Sequence, residues 1–386
     1  MYNRRLVFGT ACLGMLLFGI VLISIGSILP GLTERFSLDD IAAGSLVALL
    51  PAGILFGSML FGPIADRYGY RALLAVCTFL VSLSLEGVAF AGSMAQLMAS
   101  VFLLGFGGGV LNGATNALVA DISAAGRGAS LSLLGVFFGI GALGMPAVLG
   151  LLAAHFTREA IVAGIGAAVL LCAGFIALVR FPAPKQAQGF PVVAGARLLK
   201  DGTLVLLGAV LFFQSGMEGI VNNWTTTFLH YKVAAAAGPA LYALTLYVAG
   251  LTLARLLLSS ILKRLSSRIV MTCAGALALS GCCLLLIADR YGLALAGLIL
   301  LGAGFAAVFP VLLGIVGDLY PTLSGTAFSI VFVIALTGNT LLNYLTGHIA
   351  QVFGIVRLPI ILLASIIVTS VLLRMAFRKV EDRHAG

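Results

Sequence analysis

Gln214, Glu218 and Asn222 recur at intervals of four inside one long apolar run, the spacing that puts side chains on one face of a helix, and Asn223 and Trp224 follow directly. Asn112 with Asn116, and Asn339 with Asn343, repeat that interval in two other apolar runs. Polar groups in lipid are costly unless they face a cavity or partners, so these positions are candidate substrate contacts. An amide offers a donor and an acceptor, the pair a vicinal diol demands, and an indole face stacks on the apolar side of a pyranose ring. The chemistry is recognition of a hydroxyl-rich solute rather than of an ion. Helix-to-helix hydrogen bonding is the competing role for the same amides.

Two carboxylates, Glu218 and secondarily Glu86, can carry a coupling proton, because burial disfavours the charged form of a carboxylate. For Glu86 a structural hydrogen-bonding role competes. Arg255 either snorkels towards the membrane surface or contacts an anion. Tyr242, Tyr247, Phe305 and Phe309 are candidate aromatic walls, with ordinary packing as the alternative.

A second set of charges sits where the chain reverses. Asp66, Arg67 and Arg71 belong to the stretch Gly62-Pro63-Ile64-Ala65-Asp66-Arg67-Tyr68-Gly69-Tyr70-Arg71, where a charge can cap a neighbouring helix end and hold one conformation. Asp66 is expected to accept backbone N–H groups near Ser324, at the start of the eleventh apolar run, or to pair with Arg127 at the start of the fifth. Asp121 with Arg71, and Asp318 with Arg264 or Arg268, are the other expected pairs. Asp66, Arg67, Arg71, Asp121, Arg127 and Asp318 thus read as a cytoplasmic gate. Solvated loop charges obeying membrane topology are the alternative.

The elements that must position these groups are membrane helices. The chain has 386 residues, 61% apolar and only 9% charged, too few charges to cover a soluble surface of this size. Twelve apolar segments of spanning length follow one another from residues 6–30 to residues 357–377. The net charge of +9 suggests nucleic acid until it is mapped. All Lys and Arg except Arg35, Arg158, Lys232, Arg290 and Arg357 then fall on the side of the two termini, the asymmetry of cytoplasmic loops. The basic excess is topology. No nucleic-acid partner is expected, and the first apolar run is too long for a cleaved signal peptide. The six cysteines all lie in apolar runs, and neither they nor the histidines have metal-ligand spacing, so no metal and no cofactor is expected.

The two halves match weakly at an offset of 197 residues. Arg67 falls on Arg264, Arg71 on Arg268, Asp121 on Asp318, Ser132 on Ser329 and Gly141 on Gly338. The expected fold is all-α: twelve transmembrane helices in two pseudo-symmetric six-helix bundles. The expected domains are residues 1–180, a cytoplasmic linker over 181–202, and residues 203–386. Runs such as Gly105-Phe106-Gly107-Gly108-Gly109 read as seams where helices approach closely.

The Gly62 to Arg71 stretch resembles the motif between the second and third helices of the major facilitator superfamily. Four further segments resemble the fucose:proton symporter family within it, which includes bacterial glucose/galactose transporters. They are Gly107-Gly108-Gly109-Val110-Leu111-Asn112-Gly113-Ala114-Thr115-Asn116, Phe137-Phe138-Gly139-Ile140-Gly141-Ala142-Leu143-Gly144-Met145-Pro146, Gly216-Met217-Glu218-Gly219-Ile220-Val221-Asn222-Asn223-Trp224 and Gly250-Leu251-Thr252-Leu253-Ala254-Arg255. The resemblance implies alternating access, with sugar carried by proton symport. It also implies an acid in the first helix and a Glu in the fourth. This chain has no acid in its first run and Asn112 at the latter position, which leaves Glu218 as the main coupling candidate.

The leading functional class is therefore a secondary transporter of a small hydroxyl-rich solute, a hexose by resemblance. Its coupling ion is a proton or sodium, and uniport is the alternative. A drug, amphiphile or lipid exporter of the same fold is the competing class. An enzyme is not expected, since no nucleophile–base constellation appears. The protein is expected to act as a monomer in a bacterial cytoplasmic membrane, with the bilayer as its other partner and both termini cytoplasmic.

Overall fold

Long apolar runs in this chain become helices because a spanning backbone must satisfy its own hydrogen bonds. The computed structural model describes residues 2–123, 126–185 and 192–385. Residues 186–191 of the expected linker lie outside the described residues. The first six spans are α1 (Arg4–Phe36), α2 (Asp40–Tyr68), α3 (Tyr70–Ala89), α4 (Met94–Ile122), α5 (Arg127–Leu152) and α6 (Arg158–Leu178). A short α7 (Val192–Leu198) follows. Then come α8 (Gly202–Val233), α9 (Ala237–Ile261), α10 (Ser267–Ile287), α11 (Tyr291–Phe305), α12 (Val308–Leu319), α13 (Ser324–Phe353) and α14 (Leu358–Ala385). Among the described residues, twelve helical spans are long and apolar enough to cross a membrane.

Local signals set the ends. The Asn3 side chain accepts from the Arg5 and Leu6 backbone N–H groups at the start of α1, and Asp201 does the same for Thr203 and Leu204 at the start of α8. Gly69 turns the chain between α2 and α3 with φ +79°, a conformation open to glycine and strained for other residues. The tenth span, expected as one helix, is broken into α11 and α12. Pro310 has no N–H for the carbonyl of Ala306, so the ladder cannot run through this point.

The chain forms two compact units. One comprises Met1–Ile122, Phe137–Gly195 and Tyr320–Ser329, and the other Ser123–Val136, Ala196–Leu319 and Ile330–Gly386. In the first unit α4 is the hub. A Cβ on Gly105 would stand 2.2 Å from the Leu50 carbonyl oxygen of α2, one on Gly107 2.7 Å from Val81 of α3, and one on Gly108 2.7 Å from Val21 of α1. The glycine run is thus a packing seam shared by three helices. In the second unit Gly281 of α10 and Gly297 of α11 meet so closely that a Cβ on either would approach the other's carbonyl oxygen to within 3 Å.

Candidate functional site

In the second unit a ladder of amides joins α8 to α13. Asn339 Nδ2 donates to the Ser215 carbonyl at 2.9 Å, Asn343 Nδ2 to the Asn339 carbonyl at 2.8 Å, and Asn223 Nδ2 to Asn343 Oδ1 at 3.0 Å. The ladder forms because Gly219 leaves room for it: a Cβ there would sit 2.5 Å from Asn343 Nδ2. Asn222 back-bonds to the Glu218 carbonyl and is otherwise exposed, as is Asn223, while Trp224 is half-buried beside Gly347 of α13. Part of the amide capacity therefore joins helices, and part remains open beside the indole.

One face over, Gln214 Nε2 donates to Glu218 Oε1 at 2.8 Å and to the Phe305 carbonyl at 3.3 Å. That carbonyl is the last of α11, at the break before Pro310, so the broken helix ties the acid's partner in place. Glu218 lies within electrostatic reach of Arg255 and Tyr247, both on α9. Arg255 is 7% exposed. Its side chain lies across Gly135 of α5, and its carbonyl accepts from the Ser132 hydroxyl at 2.6 Å. A cavity of about 640 Å³ in the same unit reaches Gln214 and Phe305 at one end. Arg268, Arg374, Phe377 and Arg378 line it elsewhere.

The first unit holds the remaining candidates. Asn112 and Asn116 are buried on α4, where Asn116 Nδ2 donates to the Asn112 carbonyl at 2.8 Å and to its Oδ1 at 3.1 Å, with Met15 of α1 beside them. Glu86 lies against Gly166 of α6, next to the Ser82-to-Gly166 hydrogen bond, and makes no side-chain hydrogen bond among the described residues. Of the expected aromatic walls, Tyr242 is 59% exposed, whereas Tyr247 and Phe305 are buried.

The charges at the chain reversals are engaged in several separate contacts. Asp66 is 1% exposed and accepts from the backbone N–H groups of Gly325 at 3.1 Å and Thr326 at 2.8 Å, and from the Thr326 hydroxyl at 2.7 Å. The carboxylate caps the first turn of α13, whose free N–H groups and positive dipole end suit an anion. Of the two arrangements expected for Asp66, the backbone N–H groups at the α13 start are the one observed. The Arg127 guanidinium pairs instead with Asp318, in the second unit. The expected pairs of Asp318 with Arg264 or Arg268 are replaced accordingly, and Arg268 pairs with Glu381 over the Phe377 ring. Asp121 likewise takes Lys185 at 2.6 Å, the Tyr70 hydroxyl at 2.6 Å and the Ser324 hydroxyl at 2.7 Å rather than Arg71. Arg71 instead donates twice to the Ala177 carbonyl, an acceptor freed at the end of α6. Arg67 stacks over Tyr68. Lys185, in the expected linker, was not singled out by sequence; the only signal is its isolation as an ammonium between two prolines and a polar stretch.

A family model described as the Major Facilitator Superfamily matches residues 11–244 and 207–386. The chain belongs to the Major Facilitator Superfamily. Its structure superposes on that of the E. coli fucose:proton symporter FucP in an outward conformation with a TM-score of 0.80, at 18% identity, over 96% of this chain and 98% of that one. The fold is thus the major facilitator fold of twelve membrane helices. Among curated relatives, the uncharacterized transporter y4wD of Sinorhizobium fredii is 24% identical over 340 residues, 88% of this chain and 89% of that protein. The 4-hydroxybenzoate transporter PcaK of Pseudomonas aeruginosa is 33% identical over 118 residues, 30% of this chain and 26% of that protein. This superfamily member is an integral membrane transporter.

Proposed function

We propose that the protein carries a small hydroxyl-bearing solute by alternating access of its two sequence halves, 1–180 and 203–386, joined by the 181–202 linker, with Glu218 as the proton-coupling group. The observation that carries this reading is the α8 face itself. Glu218 is held by Gln214 at 2.8 Å, one turn from the open amides of Asn222 and Asn223 and the half-buried Trp224. Amides and an indole side by side suit a ring that is polar at its rim and apolar on its face. Asn339 and Asn343 steady that surface, and Asn112 and Asn116 on α4 are the candidate solute contacts of the first unit. The fold likeness to a fucose:proton symporter supports a sugar, and the partial match to PcaK supports a hydroxylated ring of another kind. The reading places the protein in a bacterial cytoplasmic membrane with both termini inside, which the distribution of Lys and Arg supports.

Gate residues enter as the elements that bias one conformation. Asp66 on the α13 start, and Arg127 with Asp318, would break when the cytoplasmic side opens. Uptake of labelled glucose, galactose and fucose into proteoliposomes, with and without an inward proton gradient, tests the reading. Accumulation that follows the gradient supports it.

A second reading, an exporter of amphiphiles or lipids, is favoured by the 640 Å³ cavity, whose apolar walls end in Arg268, Arg374 and Arg378. Extrusion of an amphiphilic dye with no uptake of any hydroxylated solute would select it.

A further inference from the structure

Among the described residues, the second unit contains two buried polar groups without hydrogen-bond partners. The Tyr247 hydroxyl and Arg255 Nε form no hydrogen bond, although Tyr247 is fully buried and Arg255 is 7% exposed. No ion pair or hydrogen bond of the Arg255 guanidinium occurs among the described residues. Tyr247 and Arg255 stand eight residues apart on α9, hence on one helix face, and Glu218 of α8 acts on both through space without closing a salt bridge. A guanidinium kept inside a membrane helix bundle needs a counter-charge and acceptors. Its forked N–H donors match a carboxylate, and the phenol, within electrostatic reach of both Arg255 and Glu218, offers a further donor.

We infer that Tyr247 and Arg255 form a subsite for the carboxylate of the transported solute, so that the substrate is a hydroxylated monocarboxylate rather than a neutral sugar. This rests on the reading that the α8 amides bind a hydroxyl-bearing solute and that Glu218 carries the proton. Charge balance links the two parts. In the empty site the Glu218 carboxylate offsets Arg255. When the substrate's carboxylate arrives at Arg255, the site holds one anion too many, and Glu218 takes up a proton. Loaded and empty sites then carry the same net charge, and one proton moves with each monoanion. Among the described residues the charged group acting on Glu218 is Arg255 of α9, and Glu218 in turn acts on Tyr247 of the same helix. Ser132 and Gly135 of α5 hold the Arg255 segment in place, the first through the Arg255 carbonyl and the second by leaving room for the side chain. A solute with a carboxylate at α9 and hydroxyls towards Asn222 would occupy both faces.

Sugar acids and aromatic hydroxy acids share this chemistry, and uptake assays separate them. Wild-type protein, Arg255→Gln, Arg255→Lys and Tyr247→Phe are reconstituted and offered labelled gluconate, an aromatic hydroxy acid and glucose under a proton gradient. The expected result is uptake of one of the acids, unaffected by clamping the membrane potential. Arg255→Gln then loses about tenfold or more of it, and Arg255→Lys retains part. Tyr247→Phe raises KM several-fold with little change in kcat, and it carries the test if Arg255→Gln fails to elute as a monodisperse species. Equal glucose uptake by wild-type and Arg255→Gln overturns the inference and leaves the hydroxyl-solute reading standing. Uptake of neither acid by folded wild-type protein also overturns it. Extrusion of an amphiphilic dye with no uptake of any hydroxylated solute overturns the reading and the inference together.

Discussion

The Ser132 hydroxyl donates to the Arg255 carbonyl oxygen at 2.6 Å. Shifted by 197 residues, the same contact recurs: Ser329 Oγ donates to the carbonyl of Ser58. Asp318 with Arg127 and Asp121 with Ser324 form a second pair of equivalents at that offset. Each compact unit thus contains the first turns of a helix from the other half of the sequence, held by a serine or a charge bound to a helix end. A repeated chain has reproduced its contacts as well as its residues.

Removing either serine hydroxyl strands a buried carbonyl's extra partner without changing shape. Ser132→Ala and Ser329→Ala should each lower stability by about 1 kcal/mol, the net worth of a typical hydrogen bond. Thermal melting of the detergent-solubilised variants measures it, and a loss at one site only would mean that the two contacts are not equivalent.

Asp66→Asn keeps the side-chain shape but removes the charge facing the α13 start. Hydrogen bonds to a charged group are worth about 1.5–3 kcal/mol, against about 1 for neutral ones. The population should shift towards the conformation open to the cytoplasm. Introduced cysteines on the two membrane faces report it through their labelling rates, and unchanged rates would remove Asp66 from the gate.

The Arg127–Asp318 pair is more exposed at its acid, whose side chain is 54% accessible. Solvent screening limits such a pair, so a double-mutant cycle of Arg127→Ala and Asp318→Ala should return a coupling energy below about 1 kcal/mol. Asp66, not this pair, is then the principal lock.

Glu218→Gln should abolish accumulation driven by a proton gradient while sparing exchange of solute across the membrane. Counterflow and gradient-driven uptake measured in parallel separate the two. Gradient-driven accumulation that survives the substitution would exclude Glu218 as the proton carrier.

Gly105→Ala forces a methyl to within 2.2 Å of the Leu50 carbonyl oxygen, a contact between backbones that no rotamer relieves. Overpacking of this kind costs about 1–3 kcal/mol or more. Gly144→Ala, where an added Cβ meets nothing within 4 Å, should melt like the wild type.

The amino-acid sequence alone determined the number of membrane helices, because spanning length and apolarity are local properties of each run. It also determined which polar residues share a face, since an interval of four on a helix does not depend on what packs against it. The glycine seam of α4 was legible for the same reason. Partner choice was not. Asp121 meets Lys185, Tyr70 and Ser324 instead of Arg71, and Asp318 meets Arg127, because residues far apart in sequence compete for each charge and only the packed helices decide which arrives first. The break between α11 and α12 follows from Pro310, but the capture of the Phe305 carbonyl by Gln214 depends on a neighbouring helix. Most of all, the isolation of Tyr247 and Arg255 is a tertiary fact: a residue's type says what it can bind, and the surrounding fold alone decides whether the protein has already bound it.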